Sequence, residues 1–155
     1  MRKYKIHDSV GEVELIYTKK ESVLNNLDKI KRSSHLDLLF RQIFDIRKIK
    51  HSEKVYALYI DNSNKILGYA MISSGGLTAS IVDVRIIFQN ALLLNATRII
   101  LAHNHPSGSL NPSDEDKDLT RRIKEAGKIL NISLLDHIII TEYSYYSFAD
   151  NGLII

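Results

Sequence analysis

The stretch from Arg98 to Leu119, RIILAHNHPSGSLNPSDEDKDL, restricts the possible folds of this chain more than any other. Arg98–Ala102 is nearly all apolar, as expected for a central strand buried on both faces of a sheet. A polar loop follows, and then a helix over about 114–130 with the stripe Leu119, Ile123, Ala126 and Leu130. His103 and His105 stand where the strand ends, one residue apart. Side chains two apart in a strand share a face, so both imidazoles can converge on one point. Pro106 favours an extended backbone at His105 and helps to hold that geometry. A helix beginning after Ser113 would bring Asp116 back to the mouth of the strand. Two histidine nitrogens, one carboxylate and an open fourth position make a catalytic type of zinc site. The same Ser-x-x-Asp spacing also reads as a helix cap, and the acidic run Asp114–Asp118 suits a helix N-terminus by its dipole. The two roles can coexist.

The rest of the chain supplies the elements around this unit. Val13–Tyr17 alternates as a strand does, and the segment 21–31 gives mixed signals. Ser34 and Asp37 have capping spacing ahead of Leu36, Leu39, Phe40, Ile43 and Phe44, predicting a helix over about 35–48. Glu53–Ile60, the polar turn Asp61–Asn64 and Lys65–Ile72 read as a hairpin. Ser80 and Asp83 repeat the capping pattern before a helix that runs to about Asn95. Leu134–Ile140 is a second buried strand, and a tyrosine-rich tail follows. Strands and helices interleave but a hairpin is present, so the expected class is α/β (α+β), a mixed sheet with helices on both sides.

At 155 residues the chain suits one compact domain, an N-terminal strand and arm over 1–33 leading into a body over 34–155. It has no cysteine, which excludes disulfides, thiolate metal sites and a cysteine nucleophile. No apolar run is long enough for a membrane span, and the basic start is not followed by the apolar core of a secretory signal. A cytoplasmic location with no membrane partner is the expectation. Residues 1–54 carry 13 Lys/Arg against 8 Asp/Glu, and residues 55–155 carry 8 against 10. The basic front reads either as a solvated face or as a surface for nucleic acid.

His103-x-His105-Pro106, then Ser113-x-x-Asp116, with a glutamate far upstream, resembles the JAMM (MPN+) metalloprotease motif. The wider context HNHPSG, PS-x-x-D and LLDHIII resembles the RadC-like JAB domain of that family, over about residues 34–152. The resemblance implies a JAB/MPN-like, cytidine deaminase-like three-layer fold. It implies one zinc ion held by His103, His105 and Asp116, with water in the fourth position. Glu53 would be the general base and proton shuttle, and Ser113 would donate a hydrogen bond to the oxyanion. The reaction implied is hydrolysis of an amide or isopeptide in a protein or peptide substrate.

Several residues keep two readings. By spacing alone His51 competes with Glu53. Asp136 and His137 can orient ligands, touch substrate or belong to the core. Ser73, Ser74, Gly75 and Gly76 can line the cleft or merely make a turn, and so can Ser107-Gly108-Ser109. The alternative function is a DNA-repair-associated module that binds nucleic acid or assembles with partners, its metal being structural. No helix-hairpin-helix glycine pattern precedes Glu53, which weakens that alternative. Oligomeric state is open.

Overall fold

The computed structural model describes residues 30–75 and 82–154. Eight main elements appear in order: α1 (Ser33–Ile43), β1 (Lys54–Ile60), β2 (Ile66–Ser74), α2 (Val84–Leu93), β3 (Arg98–Asn104), α3 (Asp114–Leu130), β4 (Ser133–Ile140) and β5 (Tyr145–Ser147). The strand expected at 13–17, most of the segment 21–31, Ser80 and Gly76 lie outside the described residues.

The five strands form one mixed sheet in the order β2-β1-β3-β4-β5. β1 pairs antiparallel with β2 and with β3, β3 runs parallel to β4, and β5 returns antiparallel. A parallel pair needs a crossover, and α3 is the crossover between β3 and β4. β3 is therefore central, and Ile99 to Asn104 are all buried, which is why its sequence is almost continuously apolar.

Alternation along the strands divides the core into two. Leu58, Ile100 and Ile138 pack under Leu36, Leu39 and Phe40 of α1. Ala57, Tyr59 and Leu101 pack on the other face with Ile87 and Phe88 of α2 and Ile123 of α3. Helices thus cover both faces, as the interleaved pattern predicts. Among the described residues no helix is long and apolar enough to cross a membrane.

Two local expectations need correction. The first helix ends at Ile43 rather than near residue 48. Phe44 turns extended as its N–H closes on Phe40 O, and Asp45 then accepts from Arg47 N–H to start a separate 3-10 turn over Ile46–Lys48. The Ser34–Asp37 cap is not formed. The helix begins at Ser33, two residues earlier, Arg32 at the cap position makes no side-chain cap, and Asp37 pairs with Arg41 at 2.8 Å instead. The later cap is Asp83, whose carboxylate accepts from Arg85 N–H.

α3 spans Asp114–Leu130, as its stripe and cap predict. It ends where Asn131 adopts φ +56°, a left-handed conformation that asparagine tolerates. The N–H of Ile132 then donates to Gly127 O at 2.9 Å. This fold-back requires glycine, because a Cβ on Gly127 would lie 2.2 Å from the Ile132 carbonyl oxygen. Gly127→Ala should therefore destabilise the fold by about 2–3 kcal/mol, the cost of forced overpacking against backbone. Chemical denaturation measures it, and a loss under about 0.5 kcal/mol would refute the close approach.

Candidate metal centre

The first two ligand candidates come from β3. Its odd-numbered residues look towards α2 and α3, so His103 points to that side and His105 follows on the same side. The N–H of His105 donates to Ile140 O at 3.2 Å, which prolongs the pairing with β4 past the end of the strand. The loop then curls back. Gly108 N–H donates to His105 O at 3.0 Å, and Gly108 adopts φ +79°, where glycine is favoured. The turn brings Ser109 O to 2.8 Å from His105 Nδ1, and Ser107 Oγ accepts from Ser109 N–H.

The third candidate sits in the first turn of α3. Ser113 Oγ accepts from Asp116 N–H at 3.0 Å, and Asp116 Oδ2 accepts from Ser113 N–H at 2.8 Å, a reciprocal capping box. The cap aims the carboxylate back at β3. Asp116 Oδ1 is 3.1 Å from His103 Nε2, and Oδ2 is 3.5 Å from His105 Nε2. The two Nε2 atoms are 2.9 Å apart. Cap and convergence coexist, as the spacing allows. The hydroxyl proton of Ser113 is not committed to the cap, because Oγ is the acceptor there.

Among the described residues His103, His105 and Asp116 form a group able to hold a metal ion. The donor set fits. Ligands at zinc distance in a tetrahedron lie about 3.4 Å from one another, within about half an ångström of the three separations here. The Ser109 carbonyl can only accept, so His105 Nδ1 carries the proton and a neutral His105 offers its Nε2 lone pair.

The electrostatics agree. Burial acts to raise the Asp116 carboxyl, but hydrogen bonds from His103, His105 and Ser113 outweigh it and hold the group well below the usual carboxylate range. The hydrogen bond to Asp116 raises His105 against the effect of its burial, with the Ser109 carbonyl adding to the rise. Burial, aided by His103, pushes His137 well down, so that its ring is neutral.

Glu53 lies just before β1. Val55 pairs with His103 at the end of the antiparallel ladder, and Glu53, two residues earlier, shares the strand parity of Val55. Its charge contributes to the rise at His105. Its backbone is held from the β2 side, where Gly75 N–H donates to Glu53 O at 2.9 Å. His51 is exposed in the preceding turn, one residue before the extended approach to β1. Ser73 pairs with Val55, placing it two strands from His103 in the same row.

Asp136 and His137 part company. Asp136 accepts from His137 N–H, Ala149 N–H and Ser147 Oγ, so it staples the C-terminal segment to β4. His137 faces the site. Its Nε2 is 2.8 Å from His103 Nδ1 and its Nδ1 is 2.7 Å from Thr120 Oγ1.

Sequence reasoning missed two residues. Asn104 lies between the histidines and points to the opposite face. It is 1% exposed. Its amide donates to Ile49 O at 2.7 Å and Ser52 O at 2.9 Å, and its carbonyl accepts from Lys54 N–H at 2.8 Å. It thus clamps the residues on either side of Glu53. The available signal was a polar side chain on a core-facing strand position, which demands partners. Thr120 is the other, four residues after Asp116 on one helix face.

Together, the mixed sheet, the His-x-His strand end and the Ser-x-x-Asp helix start define a JAB-type domain with a group able to hold a metal ion. A family model for the RadC-like JAB domain matches residues 31–153, and the chain belongs to that family. It is 44% identical to a UPF0758 protein of Flavobacterium johnsoniae over 144 residues, 93% of this chain and 62% of the relative. It is 48% identical over 101 residues to a UPF0758 protein of Geotalea uraniireducens, covering 65% of this chain and 44% of that one. A UPF0758 protein of Methanosarcina acetivorans is 46% identical over 102 residues, with coverage of 66% and 44%. The chain thus spans between about two fifths and three fifths of the length of these relatives.

Proposed function

We propose that this domain is a zinc-dependent hydrolase that cleaves an amide or isopeptide bond in a protein or peptide, in the cytoplasm, with one zinc per chain. The observation that carries the reading is the convergence of His103, His105 and Asp116, with Glu53, just before β1, near enough for its charge to act on His105. When bound, zinc supplies Lewis acidity, polarising a carbonyl and lowering the pKa of water. In this reading the Glu53 carboxylate takes a proton from the attacking water. The amide C–N bond then breaks, and Glu53 returns the proton to the leaving amine. The Ser113 hydroxyl would donate to the oxygen that gains charge as the tetrahedral centre forms. Ser73, Gly75 and Ser107 flank this position and would contact the substrate chain.

Glu53→Gln tests the reading because it removes the base and keeps the shape. The zinc-loaded variant should lose at least about a hundredfold in hydrolysis across a panel of peptide and isopeptide substrates while binding as much zinc as wild type. Equal rates in the two proteins would remove Glu53 from the chemistry. A second reading, a DNA-associated or assembly module with a structural metal, draws on the excess of basic residues before residue 55. It requires DNA binding that weakens steeply with salt.

A further inference from the structure

We infer that His137 and Thr120 are positioning residues that set the tautomer of His103, so that its Nε2 presents a lone pair where the metal would sit. The inference rests on the zinc reading above and extends it behind the ligands.

Thr120 Oγ1 lies 2.7 Å from the main-chain carbonyl of Asp116, which can only accept. The single hydroxyl proton of Thr120 is therefore committed there. Towards His137 Nδ1, also 2.7 Å away, Thr120 can only accept, so His137 Nδ1 carries a proton. A neutral imidazole has one such proton, which leaves His137 Nε2 bare. Towards His103 Nδ1, at 2.8 Å, His137 must then accept. His103 therefore carries a proton on Nδ1, and in the neutral ring that a metal would bind, once Nε2 gives up the proton it shares with Asp116, the lone pair is on Nε2, the atom that faces Asp116 and His105.

The surroundings keep this chain in one direction. His137 is 0% exposed and Thr120 is 2% exposed, so bulk water does not compete for these bonds. The His137 ring stacks on Phe148 with centroids 4.5 Å apart and planes 20° from parallel, which fixes its orientation. The chain of bonds also closes on Asp116, so the ligand on β3 and the ligand on α3 are tied through one path. His105 has a separate device, the Ser109 carbonyl. Both nitrogens of His137 are engaged, as a fully buried imidazole requires, and one of its two partners is a ligand candidate.

The test uses zinc affinity, measured by competition with a chromophoric chelator, and histidine tautomers read from two-bond proton–nitrogen spectra of the zinc-loaded protein. The spectra should show His103 and His137 both protonated on Nδ1. His137→Phe keeps the stacked ring but cannot accept, and should weaken zinc binding about 10- to 100-fold. His137→Gln offers a carboxamide oxygen to His103 Nδ1–H and should recover most of that loss. Thr120→Val, nearly isosteric, frees His137 to change tautomer and should weaken binding several-fold. A folded His137→Phe with wild-type affinity overturns the inference, and so does a proton found on His137 Nε2. Should His137→Phe not fold, Thr120→Val decides, with unchanged affinity overturning it. Zinc uptake by wild type with no change in the variants refutes this inference alone. A wild-type protein that takes up no zinc refutes the zinc reading and this inference with it.

Discussion

Asp116→Asn should abolish zinc binding and leave the fold intact. The carboxylate supplies one of three converging donors and, among those three side chains, the only negative charge. Its depressed pKa shows how strongly the two imidazoles and the cap favour the ionised form. An asparagine keeps a carbonyl oxygen for Ser113 N–H, so the cap of α3 survives. Its amide nitrogen would face a histidine Nε2 lone pair and bond to it, filling by a hydrogen bond the space a metal would take. Zinc measured by elemental analysis should fall from about one per chain to near zero, as expected when a ligand is replaced by a neutral amide. Thermal melts should show a native-like transition. Asp116→Ala should also lose zinc and in addition lose about 1 kcal/mol with its cap. His103→Ala gives the matching loss from the strand side. In chelator-treated wild type the raised pKa of His105 adds a pH signature. Its pairing with Asp116 stabilises the fold below the ordinary histidine value, and that contribution disappears as pH rises through the raised value. Asp116→Asn should flatten this dependence. Zinc retained at wild-type content in folded Asp116→Asn would overturn the ligand assignment.

Asn104→Ala should cost about 3–5 kcal/mol, a large part of the stability of a domain this size. The substitution removes three hydrogen bonds at once and strands a buried Ile49 O and the part-buried Ser52 O and Lys54 N–H. A buried polar group left without a partner costs about 1–3 kcal/mol, and neighbouring groups add less than independently. Asn104→Asp is no remedy, since it keeps the acceptor for Lys54 N–H but turns a carboxylate oxygen towards two carbonyls. Denaturant unfolding should show a lower midpoint with an unchanged slope. A loss below about 1 kcal/mol would mean that the segment before β1 is held by other contacts. The consequence reaches the site, because Ser52 and Lys54 flank Glu53. The strand that carries both histidines on one face thus grips the approach to the glutamate with the residue between them.

Much of this domain could be read from the chain alone, and the readable parts share one property. The His103–His105 spacing, the hairpin around Asp61–Asn64 and the limits of α3 are encoded by residues two to four positions apart. Strand alternation, turn chemistry and capping act over that range. The Arg98–Ala102 run marked β3 as central because only a strand covered on both faces can be apolar throughout. Short patterns also misled where a local competitor won. Ser34 and Asp37 have cap spacing, yet Asp37 takes Arg41 as its partner, and Asp45 starts a turn of its own.

What the chain could not declare depended on which strands lie side by side. Glu53 comes near enough to His105 to act on its charge because β1 runs antiparallel beside β3, and periodicity is blind to such pairing across dozens of residues. The partners of Asn104, about 50 residues upstream, follow from that same pairing. His137 and Thr120 come together because α3 crosses over to β4 and lays its first turns above it. Asp136, next to His137, goes the other way to Ser147 because adjacent strand residues point to opposite faces. The sequence by itself determined the ligand candidates and the elements that carry them, since those are matters of local spacing. The tertiary structure alone decided which side chain clamps the segment around Glu53 and which hydrogen bonds stand behind His103, since these arise from pairing between segments far apart in the chain.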